Sequence, residues 1–273
     1  MRLKHTVVAT LVLAGLGTAG MASAASNPLI SANNEVGVAV TGTNTNYLEN
    51  ITPGPSDSET GLTPGFALKG SFLGNVAGLS NVYAQIQYQR TMGGITYKGA
   101  VGNTPQYGTD SMSMNRVTAR LGMAFPVADN LLVIPYLTGG YQDWNRSLQG
   151  PYGYNEFYSA GLIGAGAKVE YATSPRMVFG ARAEMLAVVG GGMTPSNVPG
   201  IPNGTLGSAA FDTTGEEVVG VDADYRIAGP VHLYGGLDYT HFNYSGGALH
   251  DGFVEPSSQT NQLGIDLGVA YHF

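Results

Sequence analysis

Cysteine is absent from this chain of 273 residues, which removes disulfides, thiol catalysis and thiolate metal sites together. Charge is scarce, at 11% of residues, well below the roughly 25% of an average soluble domain. No apolar run reaches the ~20 residues that a spanning helix needs. The nearest, around Val7 to Leu16, is too short, and nothing downstream resembles one. Cations are outnumbered, 12 Lys and Arg against 19 Asp and Glu, so the surface is not that of a nucleic-acid binder. The five histidines, His5, His232, His241, His250 and His272, show no pair at metal-ligand spacing, and no phosphate loop is present. No cofactor or metal is expected.

What is abundant points elsewhere: 41 glycines and 16 tyrosines, a bias toward β structure with a lipid-facing surface. In the segment from Leu263 to Phe273, Leu263, Ile265, Leu267, Val269, Tyr271 and Phe273 alternate with Gly264, Asp266, Gly268, Ala270 and His272. Period two with one large apolar face is a strand. Left as an open edge it would be an aggregation hazard; in a closed membrane barrel it is one stave among several.

Residues 1–24 read as a secretory signal, with Arg2 and Lys4 at its start and Ala22-Ser23-Ala24 as a small-x-small cleavage site. Cleavage there takes the formal charge from −7 to −9. Residues 25–273 read as one domain. Period two followed from each turn signal gives ten strands, near 35–48, 64–76, 81–92, 110–126, 131–145, 155–172, 176–192, 214–228, 231–245 and 257–273, with eight or twelve as the alternatives. Short connections at Val76 to Ser80, Pro126 to Asn130, Ala172 to Pro175 and Ala228 to Pro230 alternate with longer ones, as periplasmic turns alternate with extracellular loops. Phe125, Tyr171, Tyr225, Tyr271 and Phe273 fall on the apolar face close to the short turns, where an interfacial girdle belongs. Pro135 within the fifth strand cannot donate a ladder hydrogen bond and predicts a bulge. The fold class is therefore all-β, a single transmembrane antiparallel up-and-down barrel. The ten or so residues between the signal and strand one are too few for a plug domain.

Alternation places Lys69, Arg116, Arg120, Lys168, Arg182 and Arg226 inside, with Glu170, Glu184, Asp222, Asp224, Asp238 and Asp266. Unpaired charge in a narrow lumen is costly, so a balanced set predicts a salt-bridged interior rather than the single-sign ring of a selective pore. A simple register sets Gly166 beside Arg182, Gly164 beside Glu184, Arg226 beside His232 and Asp222 beside Gly236. Catalytic readings are weak. Asp222-x-Asp224 lies near a periplasmic turn, whereas omptin-type proteases work at the extracellular mouth; Asp238 and His241 face opposite walls. The loops remain as free surface: an acidic tip from Glu49 to Thr63, a second loop near Thr91 to Thr109 with Tyr97, Lys98 and Tyr107, and Thr194 to Phe211 either as a partner-binding loop or folded over the mouth.

The signal, the alternating strands with inward Arg and Glu, and the terminal Gly268-Val-Ala-Tyr-His-Phe273 resemble the outer-membrane β-barrel superfamily of Gram-negative bacteria that includes OmpA-like membrane domains, OmpX and opacity adhesins. The resemblance implies outer-membrane lipid as surroundings and, through Tyr271 and Phe273, recognition by the barrel-assembly machinery. It also implies a non-enzymatic surface antigen, adhesin or envelope element, with a host surface or other extracellular ligand at the loops. A small porin or narrow solute channel is the alternative, motivated by the many inward glycines.

Overall fold

The computed structural model describes residues 27–51, 56–101, 104–204, 206–246 and 255–273. The expected signal, His5, His250 and the Pro53–Pro55 tip lie outside them. A short helix α1 (Pro28–Ser31) precedes β1 (Glu35–Asn50), β2 (Asp57–Val76), β3 (Leu79–Val101), β4 (Thr104–Met123), β5 (Phe125–Ala128), β6 (Leu131–Leu148), β7 (Asn155–Ser174), β8 (Met177–Ser196), β9 (Ala209–Ala210), β10 (Thr214–Ala228), β11 (Val231–Tyr244) and β12 (Ser257–His272). Because β5 continues β4 and β9 is a two-residue addition to β8, the described strands make ten staves. Each pairs antiparallel with its sequence neighbour, and β12 with β1 and β8 with β10 complete the ring. Closure leaves no sheet edge, the condition for strands in a bilayer.

The strands alternate as the sequence demands. On β1, Val36, Val38 and Val40 are exposed while Glu35, Ala39, Thr41 and Thr43 are buried. The ambiguous strand resolves the same way: Leu132, Ile134, Tyr136 and Thr138 of β6 face the lumen, while Pro135 and Leu137 face out. An outer wall bearing Val40 at 69% exposure, Leu137 at 69% and Met185 at 73% is untenable in water and at rest in hydrocarbon. Phe125, Tyr171, Tyr225, Tyr271 and Phe273 all stand on it near the tight turns. Turn chemistry is visible between β2 and β3, where Ala77 and Gly78 both adopt positive φ, 50° and 84°, as a two-residue hairpin turn of the I′ type requires.

Several expectations need correction. The strands are longer than the alternation suggested and the loops shorter: Glu49 pairs with Asp57, and Val101 with Thr104, so most of the two expected loops is paired strand. Gly166 faces Glu184, Lys168 faces Arg182 and Gly164 faces Leu186, a two-residue displacement that arises because the turn falls at Pro175 and Arg176, with Ser174 facing Met177, beyond the expected end of the strand at Ala172. Arg226 does face His232, and Asp222 faces Gly236. The break associated with Pro135 appears in the adjoining stave, where β4 gives way to β5 at Ala124 and the ladder resumes at Phe125 against Val133. The residues ahead of β1, though too few for a plug domain, enter the periplasmic end. Leu29, Ser31 and Asn33 are 3%, 1% and 1% exposed. Asn34 sits at the seam: its carbonyl accepts from the Phe273 N–H at 3.1 Å and faces His272 Nδ1 at 2.9 Å, while its side chain bonds both backbone groups of Leu73.

Candidate functional site

Inward side chains fill the lumen in three layers. At the periplasmic end, α1 lies over a layer of Leu29, Leu73, Tyr83, Leu132, Ile134 and Tyr136. Asn27 caps the helix by accepting the Leu29 N–H at 2.9 Å, and Pro28 occupies the first turn, where its missing donor costs nothing. The helix is tied down by Asn33 Nδ2, which donates to Glu170 at 2.5 Å, and by Ser31 Oγ, 3.1 Å from His232 Nε2. His232 Nδ1 lies 2.5 Å from Asp224. The order Ser, His, Asp is that of a hydrolytic triad, but Ser31 and His232 are each 1% exposed, which leaves substrate no approach and makes the chain a tether for the helix. Glu35, Asp224 and His232 also offer donor atoms within 4.8 Å of one another. Lys69 already supplies a cation there, its Nζ 2.5 Å from Glu35.

The middle layer is ionic. Arg120 donates to Glu184 at 2.6 and 3.1 Å, and Thr138 donates to the other Glu184 oxygen at 3.0 Å. Arg182 pairs with Asp238 at 2.6 Å, Lys168 bridges Glu170 at 2.7 Å and Asp222 at 3.3 Å, and Arg116 pairs with Glu216. Asp266 lines two small cavities, of about 80 and 70 Å³. Arg226 stands apart at the periplasmic rim, donating to the Pro175 carbonyl at 3.2 Å.

Toward the extracellular end the outward residues of β1 turn from Val36, Val38 and Val40 to Asn44 and Asn46, so the inner residues beyond this level lie above the lipid. There Tyr47, Trp144, Tyr158, Phe242 and Tyr244 pack with Met112, Met114 and Phe211. Phe211 sits 6.1 Å from Tyr158 and 5.2 Å from Tyr244 between ring centroids, so the end of the long proline-bearing loop folds inward over the mouth. Above this layer Arg146 is 5% exposed. It donates to Glu59 at 2.5 Å, to the Tyr158 hydroxyl at 2.9 Å, and pairs with Glu156 at 2.8 Å over the face of Tyr47 at 4.1 Å. Asp110 is 3.9 Å from its Nε, and Glu255 accepts from Tyr158 at 2.6 Å. Carboxylates outnumber cations in this layer. Burial, reinforced by neighbouring acids, pushes Asp110 and Glu255 each up to about 8, and burial likewise raises Glu49, Asp57 and Glu156.

Among solved structures the fold is similar to the Escherichia coli outer membrane protease OmpT, with 9% identity over 88% of this chain and 97% of that one and a TM-score of 0.55. The chain has the fold of an outer-membrane β-barrel. Weaker likenesses include the Yersinia pestis attachment invasion locus protein Ail, at 11% identity over 88% and 99% of the two chains with a TM-score of 0.34. The P. putida toluene transporter TodX aligns at 10% over 91% and 93%, also with a TM-score of 0.34. No family model and no curated relative matches by sequence. Identity this low speaks to the fold alone.

Of the barrel's interior charges, sequence reasoning missed Glu35, Glu59, Asp110, Arg146, Glu156, Glu216 and Glu255. The signal was present for several. Arg146 continues the inward series Gln142, Trp144, and Glu156 precedes Tyr158 and Ala160 in the inward phase of β7. Arg146 lies one residue past the expected end of its strand at 145, whereas Glu156 falls inside the expected strand 155–172 on its inward phase. Asp238 faces inward to Arg182, and His241 faces outward, 2.9 Å from Asn261, so the two do not meet.

Proposed function

We propose that this outer-membrane barrel is a non-conducting, non-enzymatic protein whose extracellular end serves as surface antigen, adhesin or envelope element. The observation that carries the reading is the filled lumen: a helical stopper, a paired ionic layer and an aromatic layer succeed one another, with cavities of about 80 and 70 Å³ along the ionic layer, while a larger one of about 870 Å³ opens beside α1 at the periplasmic end. The staves support a role outside the membrane. At ~3.3 Å per residue and a tilt near 40°, the 23 residues of β3 rise roughly 55 Å against an apolar belt about 25 Å tall. Tight turns confine the excess to the extracellular side, where paired strands form a stiff stalk. Tyr271 and Phe273 serve as the strand signal for the assembly machinery on this reading.

Planar-bilayer recording of the folded protein is the test. A silent membrane is expected, and stable ion-selective steps would overturn the closed-lumen reading. The small-channel reading draws on the two polar cavities and on inward Gly220, Gly236 and Gly264. Liposomes that swell in small solutes no faster than empty ones remove it.

A further inference from the structure

A cavity of about 150 Å³ opens at the extracellular rim between the upper β3–β4 hairpin and the connection from Leu148 to Tyr154. This is about ten times the ~10–15 Å³ that admits one water. Its walls are aromatic: Tyr97, Tyr107, Tyr152 and Tyr154 line it, with Tyr107 77% and Tyr152 54% exposed. Its floor is acidic. Asp57, 7% exposed, accepts from the Tyr97 hydroxyl through Oδ2 at 2.7 Å and is approached by the Ala100 backbone N–H, while no side chain hydrogen-bonds its Oδ1. Behind Tyr97 and Tyr154 a smaller void reaches Asp110, which is fully buried beside Glu59 and Arg146.

Among the described residues, no Lys or Arg lines the larger cavity. The single guanidinium behind it, Arg146, is engaged by Glu59 and Glu156 and lies 3.9 Å from Asp110. Phenol faces around a buried carboxylate favour an organic cation: the rings attract it through their quadrupoles and the acid neutralises it. A metal ion needs several convergent ligands, and among the described residues the trio at such spacing is Glu35, Asp224 and His232, in the periplasmic layer.

We propose that this cavity binds a primary alkylammonium group, supplied either by a lysine side chain of a partner polypeptide or by a free amine. The site is independent of whether the lumen conducts.

The experiment is calorimetric titration of the folded full-length barrel in detergent, at constant ionic strength, with n-butylammonium, its neutral isostere n-butanol, and a tetralysine peptide. Saturable binding of butylammonium and none of butanol is expected. Asp57→Asn should weaken it about tenfold and Tyr107→Ala about fivefold. Glu217→Gln, which removes a carboxylate from the exposed outer wall, should leave it unchanged. Tyr107 is exposed enough that its replacement leaves folding intact, so a failed Asp57→Asn preparation does not end the test. Tetralysine binding tighter than butylammonium, with both weakened alike by the variants, assigns a protein source; the reverse order assigns a free amine. Equal binding of butanol, absence of saturation, or wild-type affinity in Tyr107→Ala overturns the proposal.

Discussion

Replacing Arg146 by methionine keeps most of the side-chain volume and removes the charge on which the upper acids converge. Glu59 loses its guanidinium contacts, and Glu156 its partner at 2.8 Å. Breaking a buried pair from one side costs about 3–5 kcal/mol, because the remaining charge is left desolvated. The orphaned carboxylate can escape by taking up a proton. From an ordinary glutamate pKa near 4.3, that uptake at pH 7.5 costs about 4 kcal/mol at ~1.36 kcal/mol per unit, and only about 1 kcal/mol at pH 5. R146M should therefore lose about 3–5 kcal/mol of unfolding free energy at pH 7.5 and much less at pH 5. Most should return in R146M/E59Q/E156Q, where neutral amides replace the stranded charges. Urea unfolding in phospholipid vesicles, followed by the fluorescence of Trp144, which packs 5.5 Å from the Arg146 guanidinium carbon, measures all three. A loss under ~1 kcal/mol at pH 7.5, or an equal loss at pH 5, refutes the reasoning.

A methyl group on Gly166 would stand 2.6 Å from the Ala183 carbonyl oxygen and 2.9 Å from the Tyr136 ring. Gly166→Ala should cost about 1–3 kcal/mol in the same assay, whereas Gly139→Ala, whose Cβ meets nothing within 4 Å, should be neutral; equal effects would contradict the packing account. For Asp110 and Glu255 the folded state raises the pKa to about 8, so the stability linked to their protonated forms is complete below the unfolded values near 4 and is lost as pH rises through 8. Hydrogen exchange in the upper parts of β4 and β6 should accelerate between pH 6 and 9, after correction for intrinsic rates, while the lower strands hold; uniform protection across that range would count against it. Phe273→Ala should lower outer-membrane levels and increase periplasmic degradation, and normal levels would remove the assembly role proposed for that residue.

Stave number and facing were legible because a lipid-exposed wall enforces alternation along its whole height: Val36-x-Val38-x-Val40 could not face inward without placing Glu35 in hydrocarbon. Where the wall leaves the lipid, that rule relaxes. Asn44 and Asn46 beside Thr43 and Thr45 give no contrast between faces, so much of the upper strands read as loops and took Glu59 and Arg146 with them. The β10–β11 register was readable, with Arg226 opposite His232, although the ladder shifts between Arg226 and Ala228. The β7–β8 register was not, because β7 runs past Ala172 to Ser174 and the turn falls at Pro175 and Arg176, which carries Gly166 opposite Glu184. Nor could alternation show that residues before β1 fold back, since the tether is made by His232, Asp224 and Glu170, far away in sequence.

The position of Asn34 at the seam orders events in time. Its carbonyl meets the backbone and ring of the last two residues, and its side chain grips Leu73 of β2. The first hairpin can offer only half of that seat while the chain is incomplete. The seat of the stopper is therefore complete only once β12 has paired with β1, which ties the sealing of the periplasmic end to the closure of the barrel.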